Sequence, residues 1–398
     1  MSDGKITCSI CGAQAHAIQL HLKEDHPEVT IEQYKELYPD APLLSETAKK
    51  KIAERNAAKA AAPAETTKVA MAGTENAAAN VSALVPKGGV LKKALNEVFN
   101  LGKVKSAMNA KGDPIPITVL APTEFGDFVP TVSDNYVYDI DELKNVILAL
   151  ELRYPCYVWG HKGAGKTELF EQIAARTGRP MIRVQHTVNT EESHIVGQWT
   201  VKGGETVFEM GPLPMAMMHG WMYVADEYDF ALPSVLSVYQ AVLEGKSLMI
   251  KEADAANRII KPHANFRFCA TGNTNGSGDE TGLYQGTNLQ NSANYDRFGM
   301  VIHKKYMKKP AESQILQNQV GLTKEDADKL VEFATLVRDA YDGAKISDVI
   351  SPRTLIYSAK IGVMRGSFRQ GITLSFINKL SKIDREVVDG LAQRIFGA

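Results

Sequence analysis

Cysteine is scarce in this chain, with four in 398 residues. That excludes a disulfide-stapled scaffold and points to a reducing cytoplasm. Long apolar runs are missing too. None approaches the roughly 18 residues of a membrane span, and the polar N-terminus has no signal-peptide core. There is no surplus of charge of one sign: 45 basic residues face 46 acidic ones, for a net charge of −1. No global field therefore draws the chain to nucleic acid or to a membrane. No internal repeat is visible. What is left is a globular chain long enough for two or three domains, on a rough rule of about 150 residues each.

What is present is organised around Gly160, His161, Lys162, Gly163, Ala164, Gly165, Lys166 and Thr167. The apolar run Cys156–Trp159 before it reads as a strand, and Glu168–Arg176 after it has helical periodicity. Strand, G-x-x-x-x-G-K-T, then helix is the P-loop in its required context. The glycines let backbone N–H groups turn inward around phosphate oxygens, and the helix presents its positive end to them. Lys166 is expected to reach the β- and γ-phosphates of ATP, and Thr167 to hold Mg²⁺.

Residues 119–305 alternate strands and helices, the pattern of a parallel α/β sheet. Strands are expected at Met181–Gln185, Trp221–Asp226, Phe266–Thr271 and Gly299–His303, with a helix from Pro233 to Glu244. The stretch 198–210 alternates about Gly203 and Gly204 and reads as a β-hairpin. Val90–Asn100 has apolar residues at helical spacing. Residues 310–398 show only helical periodicity, with breaks near Gly321, Gly343, Pro352 and Gly371. The expected domains are a zinc finger at 1–46, a flexible Ala-rich linker at 47–89, an α/β nucleotide-binding core at 90–305 and a helical lid at 306–398. The linker carries almost no large apolar groups, too few to offset chain entropy.

The apolar strand ending in Asp226 and Glu227 reads as a Walker B element. Open α/β sheets bind ligands at the C-terminal ends of their strands. Asp226 there is expected to hold Mg²⁺ through water, and Glu227 to polarise the attacking water. Asn273 follows the next strand and is placed to position that water, although Gly272–Asn275 also reads as an ordinary turn. Arg297 is a candidate arginine finger, since phosphoryl transfer puts charge on the γ-phosphate oxygens. A local pair with Asp296 is the plainer reading. Arg353, at a helix opened by Ser351 and Pro352, could reach the nucleotide from the lid.

At the N-terminus, Cys8, Cys11, His21 and His26 form a four-ligand pattern: two thiolates from a turn and two imidazoles from a following helix suit tetrahedral Zn²⁺. Four ligands close the site, so this zinc would be structural. The spacing resembles the prokaryotic zinc fingers of the Ros/MucR type, which bind DNA. Lys23 is the only Lys or Arg between the ligands here, and DNA-binding modules need a basic footprint. A protein-docking finger is therefore expected.

Together, the P-loop, Asp226–Glu227, Asn273 and Arg297 identify the chain as a member of the AAA+ ATPases. The hairpin at 198–210 resembles the helix-2 insert of the MoxR and chelatase branches. Tyr136–Glu142, Asp226–Asp229, Arg258–Phe266, Ala270–Asn273, Gly278–Thr287, Asp296–Arg297 and Ser351–Arg353 resemble the CobS family, the AAA+ subunit of aerobic cobaltochelatase. The resemblance covers roughly residues 120–398, and Gly278–Thr287 is its most family-specific part. It implies a homo-oligomeric ring, six-membered in the usual case, whose ATP cycle drives a von Willebrand-type partner and a large metal-inserting subunit. A second reading keeps the motor and changes the client, as in a MoxR-like or phage-encoded chaperone. A third is a zinc-finger DNA-binding protein with ATP-gated oligomerisation. A small-molecule P-loop kinase is disfavoured, because Glu227, Asn273 and a helical lid form a hydrolase set.

Overall fold

The computed structural model describes residues 6–15, isolated positions between 18 and 45, and residues 89–279 and 282–397. His21 and residues 47–88 of the expected linker lie outside the described residues. The chain divides into two units, Met1–Ser82 and Ala83–Ala398. In the first, β1 (Ile6–Thr7) pairs antiparallel with β2 (Gln14–Ala15). Cys8, Ile18, Leu22 and Tyr34 are buried together, and the Tyr34 hydroxyl accepts the Ser9 N–H at 2.9 Å.

The second unit begins with a correction. Val90–Ala94 is a strand, β3, and only Leu95–Val98 (α1) is helical. β3 pairs antiparallel with β4 (Pro116–Leu120). Helical spacing along Val90–Asn100 is real, but a distant strand satisfies the backbone there. Then follow α2 (Ile140–Leu152), β5 (Cys156–Trp159), α3 (Lys166–Arg176), β6 (Met181–Gln185) and α4 (Glu192–Val196). The hairpin is β7 (Gly197–Lys202) and β8 (Glu205–Met210), turning at Gly203 and Gly204 as expected. α5 (Pro212–His219) leads into β9 (Met222–Asp226). The helix expected over Pro233–Glu244 is broken into α6 (Pro233–Leu236), a 3₁₀ turn and α7 (Gln240–Leu243). There Ser237 Oγ donates to the Ser234 carbonyl at 2.7 Å, a back-bond of the kind that bends helices. β10 (Leu248–Met249) and β11 (Ile259–Ile260) make a small ribbon. β12 (Arg267–Gly272), α8 (Ser292–Tyr295) and β13 (Met300–His303) complete the α/β part.

The main sheet has the order β13-β5-β12-β9-β6, with every neighbouring pair parallel. Alternate residues along each strand serve two cores, as the pleat requires. Cys156, Val158, Met222, Val224 and Cys269 pack with α2 and α3 residues such as Val146 and Phe170. Tyr157, Tyr223, Ala225, Phe268 and Ala270 pack with Leu213, Met217 and Tyr239 on the other face. Cys156 and Cys269 are buried free thiols, paired across β5 and β12.

The C-terminal part is α9 (Lys309–Val320), α10 (Lys324–Asp342), α11 (Pro352–Arg365), α12 (Phe368–Ser375) and α13 (Lys382–Phe396) around their own core. Gly371 does not break a helix. It lies inside α12, where an added Cβ would stand 2.1 Å from the Ser358 carbonyl oxygen, so it permits close approach of α11 and α12. Among the described residues no helix is long and apolar enough to cross a membrane.

Lys304, just past β13, is ion-paired with Glu142 of α2, and both side chains are largely buried. Removing one partner of such a pair leaves an uncompensated buried charge, at a cost of about 3 kcal/mol or more. Lys304→Met should lower unfolding stability by about that amount near neutral pH. Burial already raises the Glu142 carboxyl above its ordinary range, with Lys304 opposing. Without Lys304 it rises further, so the folded state holds that proton more tightly than the unfolded chain. The deficit should be greatest above the folded-state value and shrink as the pH falls toward the ordinary carboxylate range. Urea unfolding of both proteins across pH tests this; a deficit that grows on acidification would contradict it.

Candidate functional site

The chain leaves β5 at Trp159 and enters the loop through Gly160, whose N–H donates to the Gly272 carbonyl at 3.2 Å. An added Cβ on Gly160 would lie 2.1 Å from the Lys304 carbonyl oxygen, so glycine alone fits between β12 and the segment after β13. Gly165, at φ 79°, is the N-cap of α3. The Lys166 ammonium donates to the Gly160 carbonyl at 2.7 Å, the His161 carbonyl at 3.2 Å and Asn273 Oδ1 at 2.9 Å. Burial pulls its pKa down to about 8, opposed by the charges of Asp229, Asp226 and Glu227.

Thr167 and Asp226 meet across the ends of α3 and β9, with Thr167 Oγ1 donating to Asp226 Oδ1 at 2.7 Å. The Thr271 hydroxyl donates to the same oxygen. The other oxygen is held by Arg183, through Nε at 2.7 Å and a second guanidinium nitrogen at 2.5 Å. Glu227 stands at φ 52°, in the left-handed region that costs a non-glycine residue about 1–2 kcal/mol. Its N–H donates to Thr271 Oγ1 at 3.1 Å, and its carboxylate accepts from Gln185 Nε2 at 2.8 Å. Asn273 is positioned from behind by Asp229, whose Oδ2 accepts the N–H groups of Asn273 and Thr274, each at 2.8 Å, and the Thr274 hydroxyl at 2.9 Å. Asp229 is fully buried, and burial raises its carboxyl above the ordinary range.

Arg183, Gln185, Thr271 and Asp229 were not read as site residues from sequence. For two of them a signal exists. Arg183 and Gln185 alternate on one face of β6, the strand that pairs with β9 and brings them beside its acidic end. The sequence has no comparable mark on Thr271.

Lys166, Thr167, Asp226, Glu227, Asn273 and Arg353 all line one cavity of about 720 Å³. Arg353 enters it from the first turn of α11, where Ser351 Oγ accepts the Thr354 N–H at 3.1 Å and Pro352 stands in the first turn. Lys162 forms an ion pair with Asp348, just ahead of α11. Arg297 does not line this cavity. Its Nε donates to Glu244 at 2.7 Å and a second nitrogen donates to the Ala293 carbonyl, so its acidic partner is Glu244 rather than the adjacent Asp296. In the first unit, ligand atoms of Cys8, Cys11 and His26 lie within 4.8 Å of one another, with both cysteines in the turn between β1 and β2.

Residues 156–298 match the family described as AAA domain (dynein-related subfamily), and residues 312–396 match the CbbQ/NirQ/NorQ C-terminal family. The chain is 34% identical over 281 residues to aerobic cobaltochelatase subunit CobS of Sinorhizobium sp, covering 68% of this chain and 83% of that one. It is 27% identical over 247 residues to protein NorQ of Paracoccus denitrificans (strain Pd 1222), covering 61% and 87%. Von Willebrand factor A domain-containing protein 8 of Mus musculus is 30% identical over 146 residues, covering 34% of this chain and 8% of that one. The glycine loop and the Thr167–Asp226 contact sit at the C-terminal ends of parallel strands, and the matches run through both the α/β core and the helices beyond it. This chain therefore belongs to the CobS/NorQ/CbbQ, MoxR-like family of AAA+ ATPases, and it is an ATP hydrolase.

Proposed function

We propose that the protein is a ring-forming motor of CobS type, which hydrolyses ATP in the 720 Å³ cavity to remodel a partner protein. The observation that carries this reading is Asp226 held by Thr167 on one oxygen, beside Lys166 bonded to Asn273. A hydroxyl and a carboxylate side by side are hard oxygen donors, the set that suits Mg²⁺. Mg²⁺ bound there would neutralise charge developing between the β- and γ-phosphates. Lys166 and the N–H groups of residues 163–167 bind the phosphates. Thr271 and Arg183 hold Asp226 in place. Glu227 takes the proton of the attacking water, and Asn273 orients that water. Arg353 carries positive charge to the nucleotide from α11.

In the finer reading the client is a metal-inserting chelatase complex acting on a corrin precursor, with a von Willebrand-type protein between motor and client. The similarity to CobS supports it. A second reading keeps the motor and the von Willebrand-type partner but replaces the client. The match of residues 312–396 to the CbbQ/NirQ/NorQ family favours that alternative. An affinity capture with Glu227→Gln protein in ATP separates them. Recovery of a large metal-inserting subunit supports the first, recovery of a von Willebrand-type protein without it supports the second, and recovery of neither overturns both.

The thiolate and imidazole donors of Cys8, Cys11 and His26 form a soft set that fits Zn²⁺, and His21 would be the fourth ligand. Zinc binding is folding energy for so small a unit. Replacing Cys8 and Cys11 by serine should release zinc, seen by metal analysis. ATP turnover should be unchanged, because every proposed catalytic residue lies in the second unit. An intact protein without zinc would end this reading.

A further inference from the structure

Within the stretch Gly278–Thr287, Tyr284 reaches the phosphate loop. Tyr284 is buried, and its hydroxyl oxygen lies 2.9 Å from the Lys162 nitrogen and 2.9 Å from His161 Nδ1. Lys162 N–H can only donate, so the hydroxyl accepts there. The same oxygen also meets His161 Nδ1, donating to it when the ring carries its proton on Nε2 and accepting from it otherwise. The next carbonyl is held as well: the Tyr306 hydroxyl donates to the Lys162 carbonyl at 3.1 Å. Lys162 thus has its N–H and its C=O engaged by tyrosines from two separate segments.

The residue just after this stretch is anchored to the turn behind Glu227. Asn288 N–H donates to the Asp229 carbonyl at 2.7 Å, and Asn288 Nδ2 donates to the Phe230 carbonyl at 2.9 Å. Asp229 is the residue that orders Asn273. One continuous piece of chain therefore ties the loop that begins at Gly160 to the turn that carries Glu227 and positions Asn273. Leu283 and Tyr284 also line the cavity.

We infer that Tyr284 is a positioning residue for nucleotide binding, which fixes the His161–Lys162 peptide so that the N–H groups after it converge before the phosphates arrive. The inference rests on the reading of the cavity as the ATP site. A preorganised loop loses less freedom on binding, and loosening it is felt in affinity. Asn288 secures the opposite end, on the carbonyls of the turn after Glu227.

Tyr284→Phe removes one oxygen and keeps the ring. It should raise KM for ATP about tenfold and leave kcat within about twofold, the signature of lost binding shared by ground and transition states. The dissociation constant of a non-hydrolysable ATP analogue should rise by the same factor. A merely structural tyrosine would lower the melting temperature and move neither constant. Wild-type KM and analogue affinity in Tyr284→Phe would overturn the inference. Lys166→Ala is the control for the underlying reading: if it binds the analogue normally, the cavity is not the ATP site and the role of Tyr284 falls with it. If Lys166→Ala loses binding while Tyr284→Phe does not, only the present inference fails.

Discussion

Arg297→Ala protein should bind ATP almost normally and hydrolyse it about 10³-fold more slowly, the lower end of what arginine fingers contribute. Arg297 is far in sequence from the glycine loop, does not line its own chain's cavity, and is held instead by Glu244 and the Ala293 carbonyl. On the arginine-finger reading, that guanidinium would meet the γ-phosphate of a neighbouring subunit. Head-to-tail contacts that close into a ring supply that geometry. The sharper test mixes Arg297→Ala with Lys166→Ala subunits. Each is inactive alone, yet a mixed ring contains interfaces with an intact glycine loop facing an intact Arg297. Partial recovery of turnover supports a shared site. Mixed rings without recovery at any ratio mean either that Arg297 acts within its own subunit or that the ring demands every site at once, and full activity of Arg297→Ala alone removes the finger assignment.

Glu227→Gln should retain ATP binding and lose turnover by about 10²-fold or more, the range that general-base losses produce. The substitution keeps shape and leaves Asp226, Thr167 and Thr271 as they are, so the proposed Mg²⁺ site is untouched. What disappears is the carboxylate proposed to accept a proton from water. The strained backbone at φ 52° aims this side chain, and glutamine tolerates that geometry no worse than glutamate. Turnover and ATP-analogue binding measured on the same preparation decide the matter. Turnover preserved in Glu227→Gln would transfer the base role to another group.

Much of the candidate site was legible before any coordinates, for a local reason. The glycine loop lies between a four-residue strand and an eleven-residue helix that are contiguous in sequence, and Asp226 ends its own apolar strand. Each is a pattern of type and spacing within about twenty residues. Val90–Ala94 failed by the same logic: its apolar spacing fits a helix, but the strand it pairs with begins at Pro116. Gly371 was read as a breaker because glycine commonly is one, whereas here it makes room for Ser358 and Gly362 of the neighbouring helix.

The sequence by itself determined the fold class, the phosphate loop and the acidic pair, because these depend on backbone periodicity and on residue types fixed by phosphate and metal chemistry. Only the tertiary structure decided that Arg183 and Thr271 hold Asp226, that Gln185 meets Glu227, that Glu244 engages Arg297, and that Tyr284 reaches Lys162 across 122 residues. Those contacts join elements whose distance in the chain carries no information about their distance in space. The order of strands in the sheet and the packing of its two faces bring them together.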